Sequence, residues 1–185
     1  MRKETLNVLS IEDNPGDALL IKELLSEAGA LGWDLPRYVV DWVDSLKLGL
    51  ARLDEATRGE CEIDVVLTDL DLPDSRAGET FATLRGYVPQ MPIVVLTGRD
   101  DAELARRTVR AGAEDYLFKR EMSGSLLAHA LCYAVERQQA KQALRSQEAR
   151  YRALVEAQLE MALEMGRADS WDMDLRTGEL RYTDR

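Results

Sequence analysis

The stretch from Val65 to Asp74, which reads VVLTDLDLPD, constrains the fold of this chain more than any other. Its first three residues are aliphatic and mostly β-branched, a pattern typical of a strand that is buried on both faces. The run stops at the acidic Asp69, and the helix-breaking Pro73 follows. The sequence therefore predicts a central strand whose carboxyl end presents a carboxylate.

Three other short, strand-like runs end at polar residues in the same way. In chain order they are Leu6 to Ile11 before Glu12 and Asp13, Ile93 to Leu96 before Thr97, and Asp115 to Phe118 before Lys119. Ligands of open α/β sheets bind beyond the carboxyl ends of the strands. We therefore expect these acids, the hydroxyl and the ammonium to gather at one edge of a sheet.

Helix signals separate the predicted strands. Asn14 and Pro15 are typical of the start of a first helix, and Asp44 predicts the cap of a second. Between these helices, residues 37–43 are rich in β-branched and aromatic residues and predict a further strand. Five strands that alternate with helices predict an α/β fold with a parallel sheet and right-handed crossovers.

A long helix is predicted after the last strand. It is capped by Ser125 and meets no Gly or Pro until Gly166, a length of roughly 60 Å at 1.5 Å per residue. Its first part is apolar enough to dock on the sheet, whereas residues 137–150 are almost wholly polar. Four residues then follow at coiled-coil spacing: Leu154, Gln158, Met161 and Met165. Two heptads are too few to establish a coiled coil, but we expect a helical linker at residues 137–165 that forms a homodimer.

Charge and hydropathy narrow the function. The net charge is -10, and nearly all of the acid excess lies in residues 1–122, which argues against direct nucleic-acid binding. No apolar run is long enough for a membrane span or a signal peptide, so we expect a cytoplasmic protein without membrane contact. Cys61 and Cys132 are far apart, which supports neither a disulfide framework nor a zinc site.

The predicted acid cluster indicates a metal-dependent chemistry. Two carboxylates about 4 Å apart repel each other by roughly 4 kcal/mol at an effective dielectric near 20. A divalent cation relieves this repulsion, and hard oxygen ligands suit Mg²⁺. One carboxylate can then attack a phosphoryl group, while Lys119 and Thr97 hold the new oxygens. These residues therefore predict a phosphoacceptor site.

The same residues resemble the five-position signature of the response-regulator receiver domain. In chain order they are Glu12, Asp13, Asp69, Thr97 and Lys119. The resemblance implies a receiver domain over residues 1–136, with a five-stranded, doubly wound, flavodoxin-like sheet of order 2-1-3-4-5. It also implies that Asp69 accepts a phosphoryl group from a histidine kinase or phosphotransfer protein, and that no external substrate is turned over.

The resemblance assigns further roles. Glu12, Asp13 and Asp69 would bind Mg²⁺ together with the backbone carbonyl of Asp71. Thr97 would be the switch hydroxyl and Tyr116 the switch aromatic, in a population shift toward an active state.

Two positions depart from the family pattern. Arg120 stands where the family usually has a proline that is often cis, and we expect a trans bond because a cis bond before a non-proline costs about 3–4 kcal/mol. Asp71 adds a fourth acid near the acceptor, which leaves the lifetime of the phosphoryl group open.

The end of the chain carries a second resemblance. Residues 151–156 (YRALVE) and 171–178 (WDMDLRTG) resemble the entry helix and first hairpin of a PAS sensor domain. We therefore expect residues 166–185 to be the first hairpin of a truncated PAS domain. The resemblance suggests that a diguanylate cyclase or a kinase, absent here, is the output, without distinguishing between them.

Two alternatives remain at this point. The chain would be a dimerising interaction module if the acid pocket were vestigial and never phosphorylated, and Arg120 and Asp71 are the residues that keep this alternative open. A Mg²⁺-dependent phosphatase with an aspartyl nucleophile would share the Asp-x-Asp spacing of Asp69 and Asp71. The adjacent Glu12 and Asp13 and the short chain favour the receiver.

Overall fold

The structure of the protein is a computed structural model that describes residues 3–30, 35–98, 102–168, 171–173 and 180–182. The chain divides into two compact units, residues 1–139 and residues 140–185. In the described part of the chain, every helix is too short or too polar to cross a lipid bilayer.

Five parallel strands form the centre of the first unit. They are β1 (Thr5–Ile11), β2 (Arg37–Val43), β3 (Val65–Asp69), β4 (Ile93–Thr97) and β5 (Asp115–Phe118). Their order is β2-β1-β3-β4-β5, which confirms the predicted flavodoxin-like sheet. Every residue of β3 and β4 is buried, as expected for central strands covered on both faces.

Helices cover the sheet on both faces. They are α1 (Pro15–Ala30), α2 (Leu46–Thr57), α3 (Ala77–Tyr87), α4 (Ala102–Arg110) and α5 (Gly124–Ala168). One apolar cluster joins the sheet to α1 and α5 through residues such as Ile21 and Leu131. A second cluster joins the sheet to α2 and α3 through residues such as Leu53 and Phe81. The two clusters form the core, and they leave the carboxyl edge of the sheet open to loops.

The start of α5 is packed closely on α1. A Cβ atom at Gly124 would lie 2.7 Å from the backbone oxygen of Leu24, too close for any side chain. The side chain of Ser123 accepts a hydrogen bond from the backbone N–H of Leu126 at 3.3 Å. Ser123 therefore caps this helix, and the prediction of Ser125 as the cap was wrong.

The cap of α2 also differs from the prediction. Asp44 does not cap the helix, and its neighbour Ser45, which precedes the first helical residue, makes no side-chain capping bond. Asp74, from the loop after β3, instead accepts hydrogen bonds from the backbone N–H groups of Leu46 at 3.0 Å and Lys47 at 2.8 Å. A carboxylate distant in sequence thus satisfies the free donors of this helix end.

The segment after β5 is a short 3₁₀ turn over Lys119–Glu121. The peptide bond between Lys119 and Arg120 is trans, as predicted. The ring of Phe118 lies under the guanidinium of Arg120, with 5.5 Å between the guanidinium carbon and the ring centroid. Lys119 is therefore placed at the strand end by a compact turn.

The second unit contains residues 140–168 of α5 and a two-stranded antiparallel sheet. Its strands are β6 (Trp171–Met173) and β7 (Leu180–Tyr182), with Trp171 opposite Tyr182. Strand pairing of this kind was predicted, whereas the predicted turn at residues 176–179 lies outside the described residues. The side chain of Met165 also lies outside them.

Candidate functional site

Strand register brings the predicted residues to one edge of the sheet. Asp69 is the last residue of β3 and is paired with Leu96 of β4, so Thr97 lies one residue further along that edge. Thr97 is in turn paired with Phe118 of β5, and Lys119 follows. On the other side of β3, Ile11 is the last residue of β1, so Glu12 and Asp13 leave that strand at the same edge.

Three carboxylates form the acid cluster of this edge: Glu12, Asp13 and Asp69. Each offers an oxygen, and these oxygens all lie within 4.8 Å of one another. Glu12 and Asp69 are buried, whereas Asp13 is exposed and leaves the cluster open to solvent. The donors are all hard oxygen atoms, which fits Mg²⁺, an ion that prefers oxygen ligands and usually keeps several waters.

The loop after β3 supports the acceptor carboxylate. The backbone N–H of Asp71 donates a hydrogen bond of 3.1 Å to Oδ1 of Asp69. The other oxygen, Oδ2, accepts a hydrogen bond of 2.7 Å from Nζ of Lys119. Both oxygens of Asp69 are therefore held by donors on opposite sides, which fixes the plane of the carboxylate.

Lys119 contacts more than one acid. Its Nζ atom also lies 2.6 Å from Oε2 of Glu12 and 2.8 Å from Oδ2 of Asp17, and its side chain is only 16% exposed. Burial disfavours the charged ammonium, but the contacts with Asp17, Asp69 and Glu12 outweigh burial and raise the pKa of Lys119 above the usual lysine value. Lys119 is therefore a permanent positive charge beside Asp69.

The surroundings of Glu12 disfavour its charge. Its side chain is 1% exposed, and burial raises the pKa of its carboxyl even though Lys119 acts in the opposite direction. The backbone N–H of Asn14 donates a hydrogen bond of 3.2 Å to Oε1. A cation bound at the cluster would favour the ionised form of this carboxyl.

Two predicted switch residues lie in the interior. Thr97 is fully buried at the end of β4. Tyr116 is buried in the apolar cluster shared with α2 and α3, and its ring meets that of Phe118 edge to face with 5.5 Å between the centroids. The structure thus gathers Glu12, Asp13, Asp69 and Lys119 by direct proximity, while register places Thr97 beside them and Tyr116 deeper in β5.

Two further residues at the site were missed by sequence reasoning. Asp17 lies in the first turn of α1, and Trp42, near the end of β2, donates a hydrogen bond of 2.7 Å from its indole to the carbonyl of Glu12. The apolar runs of the sequence indicate acids at strand ends, whereas Asp17 reaches the site from a helix. The cap at Asn14, which accepts a hydrogen bond of 2.8 Å from the backbone N–H of Gly16, was the available signal that this helix begins at the same edge.

Comparison with known proteins agrees with this geometry. The family model described as "Response regulator receiver domain" matches residues 8–131. Over 115 residues the chain is 30% identical to the two-component response regulator ORR1 of Oryza sativa subsp. japonica, a match covering 60% of this chain and 48% of that protein. It is 28% identical over 114 residues to the transcriptional regulatory protein MalR of Bacillus subtilis, covering 62% of this chain and 44% of the relative. The chain thus spans about half the length of the curated relatives it matches.

Solved structures show the same fold. The crystal structure of a response regulator receiver domain protein from Clostridium thermocellum aligns with a TM-score of 0.60 and 26% identity. The alignment covers 73% of this chain and 98% of that structure. The similarity therefore includes nearly the whole of an independent domain.

Proposed function

The chain belongs to the response regulator receiver domain family, and on that premise we propose that it accepts a phosphoryl group on Asp69 from a histidine kinase or phosphotransfer protein. The observation that carries the proposal is the contact of 2.7 Å between Nζ of Lys119 and Oδ2 of Asp69, beside the carboxylates of Glu12 and Asp13. This is a nucleophile with a fixed positive charge at the place where phosphoryl oxygens would lie.

The proposed reaction is a direct transfer between two residues. An oxygen of Asp69 attacks the phosphorus atom of a phosphohistidine, and a new O–P bond forms as the N–P bond breaks. The imidazole, protonated on its other ring nitrogen, leaves as a neutral ring, and the phosphoryl oxygens accept hydrogen bonds from Lys119 and the hydroxyl of Thr97. The product is an acyl phosphate on the chain itself, so no external substrate is turned over.

Mg²⁺ fits this site on the chemistry of its donors. Glu12, Asp13 and Asp69 would hold the ion with the backbone carbonyl of Asp71, and the ion would supply positive charge against the phosphoryl oxygens. Glu12, buried and with its pKa raised, is the ligand that gains most from such a charge.

The proposal extends to the helical linker. Residues of α5 that are exposed in the second unit include Leu144, Tyr151, Leu154 and Met161, at 57%, 70%, 57% and 60%. Their spacing of seven, three and seven residues matches the core positions of a coiled coil. We propose that this face pairs with a second copy in a homodimer, and that residues 166–185 begin a PAS domain that leads to an output such as a diguanylate cyclase or a kinase.

Intact mass after incubation with Mg²⁺ and phosphoramidate tests the acceptor chemistry. The wild type is expected to gain one phosphoryl group, about 80 Da, whereas Asp69→Asn and the wild type with EDTA gain none. Asp44→Asn, the same acid-to-amide change in a residue outside the acid cluster, is the matched control and should react like the wild type. Absence of an adduct from the wild type, also after treatment with beryllofluoride as a phosphoryl mimic, would favour the vestigial module.

Sedimentation equilibrium tests the linker. We expect the wild type to dimerise and a variant with Leu154→Asp and Met161→Asp to be monomeric, because a buried charge in a coiled-coil core is strongly unfavourable. The exposed Gln142→Asp, which lies on the side of the helix opposite this face, provides a control for added charge on the same helix. A monomeric wild type at micromolar concentration would contradict the dimer.

A further inference from the structure

Asp17 differs from the other two acids that hold Lys119. Glu12 and Asp69 belong to the acid cluster, whereas Asp17 lies outside it, on the first turn of α1. An ammonium has three N–H donors, and three carboxylates lie within 2.8 Å of Nζ. Two of these carboxylates, those of Asp17 and Asp69, accept hydrogen bonds from Nζ, whereas Glu12 forms an ion pair without hydrogen-bond geometry.

Phosphorylation would change the partners of Lys119 unequally. Once Asp69 is converted to an acyl phosphate, its carboxylate charge is lost. The N–H of Lys119 that donated to this carboxylate can then donate to a phosphoryl oxygen. Glu12 is a proposed metal ligand and is then shared with the ion. The charge of Asp17 and its hydrogen bond to Lys119 are changed neither by phosphorylation of Asp69 nor by binding of the ion.

Asp17 is also well placed as an anchor. The backbone N–H of Asp17 lies 3.4 Å from the capping oxygen of Asn14, so its position is tied to the start of α1. Its side chain is 34% exposed, whereas that of Glu12 is 1% exposed, so Asp17 keeps contact with solvent. A lysine side chain otherwise has large rotamer freedom, and an anchor limits that freedom before the reaction.

We infer that Asp17 is a positioning residue that holds Nζ of Lys119 against Asp69 throughout phosphoryl transfer. This inference rests on the function proposed above. Asp17 touches no reacting atom and acts only through Lys119. Its loss is therefore expected to slow the chemical step and to leave metal affinity nearly unchanged.

The test compares phosphorylation rates by intact mass at saturating Mg²⁺, over a range of phosphoramidate concentrations. We expect Asp17→Ala to lower the maximal rate about tenfold, the effect of one hydrogen bond to a charged group, with little change in the half-saturating donor concentration. Asp17→Asn keeps an acceptor oxygen and should recover most of the rate. Glu23→Ala, which removes an exposed acid from the same helix, should leave the rate unchanged and controls for net charge.

A double-mutant cycle separates positioning from a purely structural role. Asp17→Ala should have no further effect in a Lys119→Ala background, because its action passes through the lysine. Metal affinity, measured by calorimetry with Mg²⁺ alone, should change less than about twofold in Asp17→Ala, since the residue is outside the acid cluster.

Three results would overturn the inference: equal rates for Asp17→Ala and the wild type, no recovery in Asp17→Asn, or additive losses in the double mutant. Each of them requires that the wild type is phosphorylated. Failure of the wild type to react would instead contradict the proposed function, so the two failures are distinguishable.

Discussion

The two edges of the central sheet each carry a lysine bound to acids, but the surroundings differ. At the amino edge, Lys3 is 43% exposed and donates to Oδ1 of Asp64 at 2.6 Å, while the backbone N–H of Asn7 donates to Oδ2 at 2.9 Å. At the carboxyl edge, Lys119 is 16% exposed and is surrounded by three acids.

The difference lies in charge balance. Both oxygens of Asp64 have donors, so the amino edge is a satisfied structural contact. At the carboxyl edge, the acid cluster and Asp17 together exceed the single charge of Lys119, and Glu12 has a raised pKa because of burial. The carboxyl edge thus carries negative charge that Lys119 alone does not compensate, and such charge favours a bound cation.

The largest expected effect comes from removing each lysine. Lys119→Ala should lower the free energy of unfolding by about 2–4 kcal/mol without Mg²⁺, because it leaves buried carboxylates unpaired. Lys3→Ala removes a lysine that is 43% exposed, and Asp64 keeps the hydrogen bond from the backbone N–H of Asn7, so the loss should be less than about 1 kcal/mol. Urea unfolding of both variants measures the difference, and equal losses would contradict the contrast between the edges.

Neutralising an acid at each edge should give changes of opposite sign. Asp13→Asn relieves repulsion in the acid cluster and should raise the free energy of unfolding without Mg²⁺, by up to roughly 1 kcal/mol. Asp64→Asn weakens a satisfied contact and should lower it by roughly 1–2 kcal/mol. Thermal unfolding, monitored by circular dichroism, would reject the interpretation if both variants were destabilised.

The smallest effect concerns the pH dependence of stability. Burial raises the pKa of Glu12 in the folded state. The contribution of Glu12 to stability is therefore full below its pKa in the unfolded chain, about 4.5, and is lost as the pH rises through its pKa in the folded protein. The difference in stability between Glu12→Gln and the wild type should therefore shift in favour of the variant as the pH rises from acidic to neutral. Urea midpoints of both proteins from pH 4 to 8 would show this, and parallel curves would contradict it.

The elements of the fold were predictable because their signals are local. The apolar run before Asp69 predicts both the strand β3 and the residue at which it ends. Asn14 caps α1, as predicted. Capping that depends on distant residues was not predictable in the same way. Asp44 precedes α2 in sequence, yet Asp74 binds the free N–H groups of that helix across a separation of 27 and 28 residues.

The sequence by itself determined which side chains stand at the strand ends, because alternation and apolar runs show where each strand stops. Parallel strands then carry Glu12, Asp69 and Lys119 to one edge whatever the detail of the loops. Only the tertiary structure decided that Asp17 joins them, because that contact depends on how the first turn of α1 is placed against β5. Contacts across 102 residues, such as the one between Asp17 and Lys119, follow from packing and leave no local pattern.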